Sequence, residues 1–295
     1  MSNDNEFEAD VDIHEWVDRA KADPQRYMER QATEVLLTAV GQSPAYGERL
    51  YLKGGILMGV VYQSPRQTAD IDYTAAFQPG ENIEDELREA LNPELQRAAA
   101  RQGYPQLVCR VQRIKRRPRP ERFVDAKFPA LDMTIGYAER GTPAYERLEN
   151  GQSPHTLKME ISFHEPVHAI KFVHLSPGAH AAVGTYSLAD VIAEKLRALL
   201  QQTARNRYRR QDAYDIDFLV RKVPLSADDK KQVLDALLIK ARARDIEPHI
   251  DSMSDPEVRR RAQDDWGTLA IELDELPAFD DAFSTVEEFY RSLPW

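Results

Sequence analysis

Cysteine is almost missing from this chain: Cys109 stands alone among 295 residues. That excludes an intramolecular disulfide and any zinc site built from several thiolates. Long apolar runs are missing too, since no stretch approaches the roughly 18 apolar residues that a membrane-spanning helix needs. The opening residues, MSNDNEFEADVD, carry neither the basic nor the apolar part of a secretory signal. These absences point to a cytoplasmic protein with no membrane partner. Positive charge is also scarce: 39 Lys and Arg stand against 49 Asp and Glu, for a net charge of −10. The field of the whole chain therefore repels nucleic acid, and only a local patch can attract it. Two such patches exist. Arg110, Arg113, Lys115, Arg116, Arg117, Arg119 and Arg122 crowd one stretch, and Arg205, Arg207, Arg209 and Arg210 another.

Periodicity divides the chain. Residues 1–22 read as a flexible acidic lead. Asp23-Pro24 then offers an N-cap followed by proline at the first helical position, and Met28, Ala32, Val35, Leu36 and Ala39 recur at helical spacing to about Gln42. A short strand, Arg49 to Lys53, leads into Gly54-Gly55 and a brief helix stopped by Pro65. Thr68 to Phe77 returns to strand. The segment from Ile83 to Arg101 reads as a helix interrupted at Pro93, or as two short helices. Leu107, Cys109 and Val111 alternate as in a strand, and the prolines at 118 and 120 make the basic stretch KRRPRPER a loop. Phe128 to Tyr137 and Thr156 to His164 are further strands. The second has Leu157, Met159, Ile161 and Phe163 on one face and Lys158, Glu160, Ser162 and His164 on the other. Helices follow from Ser187, with Ser187/Asp190, Ser226/Asp229 and Ser284/Glu287 as capping pairs.

The chemistry concentrates between Tyr51 and Thr74. Asp70 and Asp72, two apart in a strand, project from one face while Ile71 and Tyr73 face the core. Paired hard oxygen donors suit Mg²⁺, which binds through a few carboxylates plus waters and substrate phosphates. A solvated strand face is the ordinary reading of an isolated pair, but Gly54-Gly55 precedes it closely. Such a turn lets backbone N–H groups approach a phosphate. Lys53 beside it is either a phosphate contact or an exposed cation. Further on, in SLADVIAEKLRALLQ, Lys195 falls within the apolar stripe formed by Leu188, Val191, Ile192, Leu196 and Leu199. A lysine there either snorkels to water or meets an anion. Asp212 and Asp215, three apart, share a helix face.

KGGILMGVVYQSPRQTADIDY, together with AEKLRALLQQTARNRYRRQDAYDIDFLV, resembles the nucleotidyltransferase toxins of the AbiEii/AbiGii group, relatives of the DNA polymerase β superfamily. The resemblance spans roughly residues 25 to 220. It implies an α+β chain with three parts. After the lead come a minimal nucleotidyltransferase fold over 23–183, a mixed β-sheet flanked by helices, and an all-helical C-terminal domain over 184–295 that completes the active site. It implies transfer of NMP from an NTP with Mg²⁺ or Mn²⁺. Gly54 and Gly55 match the family's glycine pair, and Asp70 and Asp72 its metal-binding aspartates. Glu160 falls where the superfamily places a third carboxylate, with Asp132 competing for that role. Ala193-Glu194-Lys195-Leu196 matches the AEKL motif, whose lysine faces the triphosphate. Arg209, Asp212 and Asp215 match R-x-K-D-x-x-D, with Gln211 in place of lysine. Ile56 stands where the family commonly has Ser or Thr, so a hydroxyl contact to phosphate is missing.

The resulting expectation is a nucleotidyltransferase that modifies an RNA, most plausibly the 3′ end of a tRNA. It would act as the toxin of a toxin–antitoxin or phage-defence pair with a cognate antitoxin. Arg113, Lys115, Arg116, Arg117 and Arg119 are the candidate RNA contacts. Asp70, Asp72, Lys195 and one member of the Asp212/Asp215 pair would carry catalysis, Lys53, Gly54, Gly55 and Arg209 would hold nucleotide, and Asp70, Asp72 and Glu160 would hold metal. Two rivals share the fold: a transferase acting on a small molecule or protein hydroxyl, and a non-catalytic nucleotide-binding module.

Overall fold

The computed structural model describes residues 7–176 and 182–295. The chain divides into two compact units. The first takes the residues up to Val61, Ala69–Glu165 and Lys171–Thr185, and the second takes Tyr62–Thr68, Pro166–Ile170 and Tyr186–Trp295.

In the order of the chain, the first unit's elements are β1 (Phe7–Asp10), α1 (Ile13–Asp18), α2 (Pro24–Gln42), β2 (Leu50–Lys53), α3 (Gly54–Val60), β3 (Asp70–Ala75) and α4 (Ile83–Arg101). They continue with β4 (Leu107–Arg117), α5 (Pro120–Phe123), β5 (Ala130–Glu139), α6 (Pro143–Glu149), β6 (Thr156–Ser162), β7 (Ile170–His174) and β8 (Ala182–Tyr186). The strands make one mixed sheet in the order β1-β7-β8-β2-β3-β6-β5-β4. β3 and β6 run parallel, while β2–β3, β5–β6 and β4–β5 are antiparallel. This is the mixed sheet with flanking helices expected from the sequence. α2 starts as its residues dictate: the Asp23 carboxylate accepts from the backbone N–H groups of Gln25 and Arg26 at 3.1 and 3.2 Å, with Pro24 next to it. Ala32, Val35, Leu36 and Ala39 are buried.

Several local expectations give way. Residues 7–18 are a strand and a helix rather than part of a flexible lead, because Ile13, Trp16 and Val17 are buried and Asp12 caps the helix; residues 1–6 lie outside the described residues. α4 passes through Pro93 without a break. Its buried Leu87, Leu91, Leu95 and Ala98 hold one continuous face, which outweighs the hydrogen bond that proline forgoes. The basic stretch is a strand as far as Arg117, not a loop, since β4 keeps its ladder with β5 through Lys115↔Asp132 and Arg117↔Ala130. Pro118 only ends it. Ser284 lies inside its helix and caps nothing. β7, β8 and α6 are additions the periodicity did not reveal.

The helical unit contains α7 (Leu188–Leu200), α8 (Gln202–Arg205), α9 (Arg210–Lys222), α10 (Ala227–Arg242), α11 (Pro256–Gln263) and α12 (Phe279–Arg291). α7 packs on α9 and α10, and α12 on α9. Ser187 accepts from the Asp190 N–H at 3.1 Å to cap α7, and Ser226 with Asp229 forms a full capping box on α10. Asp190 does more than cap. Fully buried, its carboxylate accepts from the backbone N–H groups of His168 and Ala169 and pairs with Lys240 at 2.8 Å. Among the described residues no helix is long and apolar enough to cross a membrane.

Candidate active site

β3 delivers Asp70 and Asp72 to one face of the sheet, with Ile71 and Tyr73 buried on the other. Strand pairing then assembles what the sequence separates. In the parallel ladder Asp70 lies opposite Lys158 and Asp72 opposite Glu160. In the next ladder Glu160 lies opposite Asp132, and beyond that Asp132 lies opposite Lys115. Both candidates for a third carboxylate therefore stand in one row with Asp72. Glu160 is the immediate neighbour, and Asp132 lies a further strand spacing, about 4.8 Å, away. An open pocket of about 400 Å³ is lined by these four carboxylates and by Arg113, Lys115, Thr134 and Lys158.

The glycine turn touches this row directly. Gly54 has φ +70° at the start of α3, and a Cβ on it would lie 2.2 Å from Asp72 Oδ2. The missing side chain is thus what lets the Asp72 carboxylate rest against the turn. Gly54→Ala meets two penalties, the left-handed backbone, worth about 1–2 kcal/mol, and the displacement of Asp72. We expect a lower midpoint in urea unfolding together with lost nucleotide binding in calorimetry. Lys53 pairs in register with Asp72 and is buried, so it is not an exposed cation. Ile56 is buried as well; its side chain belongs to the core, not to the turn's surface.

The basic residues of β4 separate by face. Arg113, Lys115 and Arg117 are exposed, and the first two line the pocket. Arg117 donates to Glu160 and lies 3.6 Å from Asp132. Burial alone would lower the Arg117 pKa, but Glu160, with Asp132 and Asp72 behind it, outweighs this and raises it. Arg116 points elsewhere: it donates to Glu84 at 2.5 and 2.6 Å and lies over Phe123. This corrects its assignment as an RNA contact, because its guanidinium is committed to the fold. His164 does not share Glu160's face either. It follows the end of β6 with φ 62° and is bonded to Lys127 O and Gln78.

In the helical unit Lys195, only 7% exposed, meets anions. It donates to Asp215 Oδ2 at 2.5 Å and Asp212 Oδ1 at 3.2 Å. Asp215 is fully buried and also accepts two hydrogen bonds from Arg66, at 2.9 and 3.0 Å. Arg66 comes from the segment Tyr62–Thr68 and reaches Glu272 at 3.0 Å, as does Gln211. Burial would raise the Asp215 carboxyl pKa, but Lys195 and Arg66 overcome it and hold the group below the ordinary value. Conversely, burial would lower Lys195, and Asp215 with Asp212 raises it. The two aspartates are thereby distinguished. Asp215 is a buried clamp, whereas Asp212 keeps some exposure and has Arg209 3.8 Å away.

Comparison with protein families decides the lineage. The model for the nucleotidyl transferase AbiEii toxin of type IV toxin–antitoxin systems matches residues 36–285. The chain belongs to this family. AbiEii membership extends past the resemblance seen in the motifs, deep into the helical unit, and implies an antitoxin partner. Among solved structures, the nucleotidyltransferase toxin MenT4 from Mycobacterium tuberculosis H37Rv aligns over 95% of this chain and 88% of its own, with a TM-score of 0.57 and 15% identity. JHP933 from Helicobacter pylori aligns over 90% of each chain, with a TM-score of 0.49 and 12% identity. Curated protein sequences give no significant match. The likeness to MenT4 speaks to the fold. Within the AbiEii motifs, Ile56 and Gln211 are the departures, and each has a place: Ile56 fills the core and Gln211 donates to Glu272. Motif reading missed Arg66 and Glu272, and it foresaw Arg117 as an RNA contact without its pairing to Glu160. No local signal marks them, since each acts through a partner far away in sequence.

Proposed function

We propose that the chain transfers NMP from an NTP to an RNA hydroxyl, with a tRNA 3′ end as the favoured acceptor, in a reaction that depends on Mg²⁺. The observation that carries this reading is the row of carboxylates Asp72, Glu160 and Asp132, with Asp70 on the same face of β3, Asp72 lodged against the Gly54 turn and basic side chains lining the pocket. The acceptor oxygen bonds to the α-phosphorus as the bond to the β-bridging oxygen breaks. Pyrophosphate leaves with that electron pair, and the hydroxyl proton passes to a base or to water.

Among the described residues no three His, Cys, Asp or Glu side chains converge closely enough to hold a metal alone. The donor set nevertheless suits a hydrated Mg²⁺ or Mn²⁺, which needs one or two carboxylates and completes its shell with water and phosphate oxygens. Asp70 and Asp72 would hold it, with Glu160 beside Asp72. Such an ion, when bound, supplies charge neutralisation on the phosphates. The Gly54-Gly55 turn, with Asp72 against Gly54, is assigned to a phosphate, and Arg113 and Lys115 add positive charge. Within the helical unit, Lys195 and Asp212 are assigned to nucleotide or acceptor, held by Asp215 and Arg66.

Incubating the protein with Mg²⁺, each α-labelled NTP in turn and total tRNA tests the reading. Label should enter RNA with at least one NTP and vanish in excess EDTA. No transfer with any NTP, while nucleotide still binds, would support the non-catalytic module instead. The one structural feature favouring that rival is Arg117, whose guanidinium occupies Glu160 as a counter-cation. Arg117→Gln is accordingly expected to tighten Mn²⁺ binding severalfold, read by paramagnetic resonance. Unchanged affinity would mean that Arg117 and the metal do not compete.

A further inference from the structure

Apart from Arg209, the second basic island is left unused by the site described above. Its residues follow α8, where Arg205, Asn206, Arg207, Tyr208 and Arg209 are all exposed. A loop of that composition has every reason to be loose, yet this one is built. Gln202 is fully buried, and its side chain donates to Leu199 O at 3.0 Å and Val258 O at 3.1 Å. The same side chain accepts from the Arg209 N–H at 2.9 Å, and its backbone carbonyl accepts from the Arg207 N–H at 2.9 Å. Asn206 turns the chain in the left-handed region at φ 48°, a conformation that asparagine tolerates better than most residues. Arg261 on α11 donates to the Asn206 side chain at 3.1 Å. Gln202, anchored on Leu199 and Val258, thus holds the loop at Arg207 and Arg209, and Arg261 holds it at Asn206.

What the loop displays is unusual for the chain. Tyr208 is one of the few large apolar side chains left exposed, at 47%. The Arg261 guanidinium lies 5.6 Å from its ring centroid and backs the ring. Arg205 and Arg207 precede it within three residues, and among the described residues neither makes an ion pair. About half of the other arginines do, among them Arg66, Arg116, Arg117, Arg221 and Arg261. In a chain of net charge −10, two uncompensated arginines just before an exposed aromatic residue are a local reversal of the charge balance.

We propose that this loop binds a single-stranded segment of RNA, with a base stacked on Tyr208 and neighbouring phosphates on Arg205 and Arg207. An aromatic side chain offers a face to any base, and arginines alongside supply the phosphate contacts, which is the chemistry that recognises unpaired strands. A duplex presents no free base face to such a ring. Arg209 connects the loop to the Lys195 cluster, through its 3.8 Å approach to Asp212, so the strand is received next to that cluster of the helical unit. This inference rests on the proposal that the acceptor is RNA.

Fluorescence anisotropy of a labelled single-stranded RNA oligonucleotide, and of a duplex of the same length, tests it on the full chain over a salt series. Tyr208→Ala is expected to weaken single-strand binding about tenfold, while Tyr208→Trp retains it. Arg205→Gln with Arg207→Gln is expected to lower the salt slope by about 1.4, the value for two phosphate contacts on a single strand. None of these side chains enters the core, so circular dichroism melts should match the wild type. If wild-type protein binds RNA and these variants bind it equally well, the loop assignment is overturned while the RNA reading stands. If tighter binding goes to the duplex, or Tyr208→Ala loses nothing, stacking is overturned. If the wild type binds no RNA and labels none, both inferences fall together.

Discussion

Asp72→Ala is expected to abolish the proposed label transfer from NTP to RNA, a loss of about 10²–10³-fold, of the size seen when a group stabilising transition-state charge is removed. Asp72 is the residue on which the pocket's separate parts converge. It lies opposite Lys53 in one ladder and Glu160 in the other, and its carboxylate is packed on Gly54. The substitution removes charge without opening the core, because Asp72 sits on the exposed face of β3. Arg117 retains Glu160 as its partner, and a part-exposed pair of that kind is worth at most about 1 kcal/mol. The expected phenotype is therefore a folded, inactive protein. Asp72→Asn, which keeps the shape and loses the charge, should be equally inactive, and divalent cation binding should weaken in both. An Asp72→Ala protein that transfers label at the wild-type rate would remove the pocket from the chemistry.

Asp215→Ala gives the opposite phenotype: the helical unit loses about 3–5 kcal/mol of stability, the usual cost of stranding a buried charge. Two cations are stranded here. Arg66 loses both hydrogen bonds of its fork and keeps only Glu272, and Lys195 keeps only Asp212. Asp212→Ala should cost much less, since Lys195 and Arg66 both remain on Asp215. Urea unfolding followed by circular dichroism separates the two variants; equal midpoints would contradict the clamp. A pH signature accompanies it. Because the folded pKa of Asp215 lies below its unfolded value, its contribution is fully present above about pH 4, the unfolded carboxylate pKa. It is lost as pH falls through the folded value. Lys195, with its pKa raised, contributes fully below about pH 10.4, and that share is lost as pH rises through its folded value. The wild type should therefore hold a flat stability plateau across neutral pH. Asp215→Ala should lose the part of the acid limb that this carboxylate supplies.

The two phenotypes bear on different questions, the first on the proposed chemistry and the second on the stability of the helical unit. Burial separates them. A carboxylate near solvent is free to exchange partners with substrate and metal, whereas one that is fully buried with two cations is committed to the fold. The same reasoning divides the arginines of β4, which look alike in sequence. Arg116 is spent on Glu84 and Phe123, while Arg113 and Lys115 face the pocket. Strand alternation assigns them. Reading the stretch as a loop hid this, because the prolines suggested irregularity and β4's ladder with β5 was not visible locally.

Much of the site was legible from residues alone, for identifiable reasons. The period of a strand puts Asp70 and Asp72 on one face whatever the strand packs against. Lys195 lies in an apolar stripe, so burial is dictated by its neighbours and an anion becomes necessary. The AbiEii motifs added the lineage that the family match bears out. Other features depend on pairings that no local rule sets. Glu160 and Asp132 share Asp72's row only because β6 inserts between β3 and β5 in that register, and a one-residue slip would have turned both away. Asp215 holds two cations only because Arg66, 149 residues earlier, is brought to it. Local backbone preference and helical or strand period thus determined which side chains share a face. Tertiary structure alone decided which of those faces meet, because the free energy of burying a charge depends on a partner that sequence distance conceals.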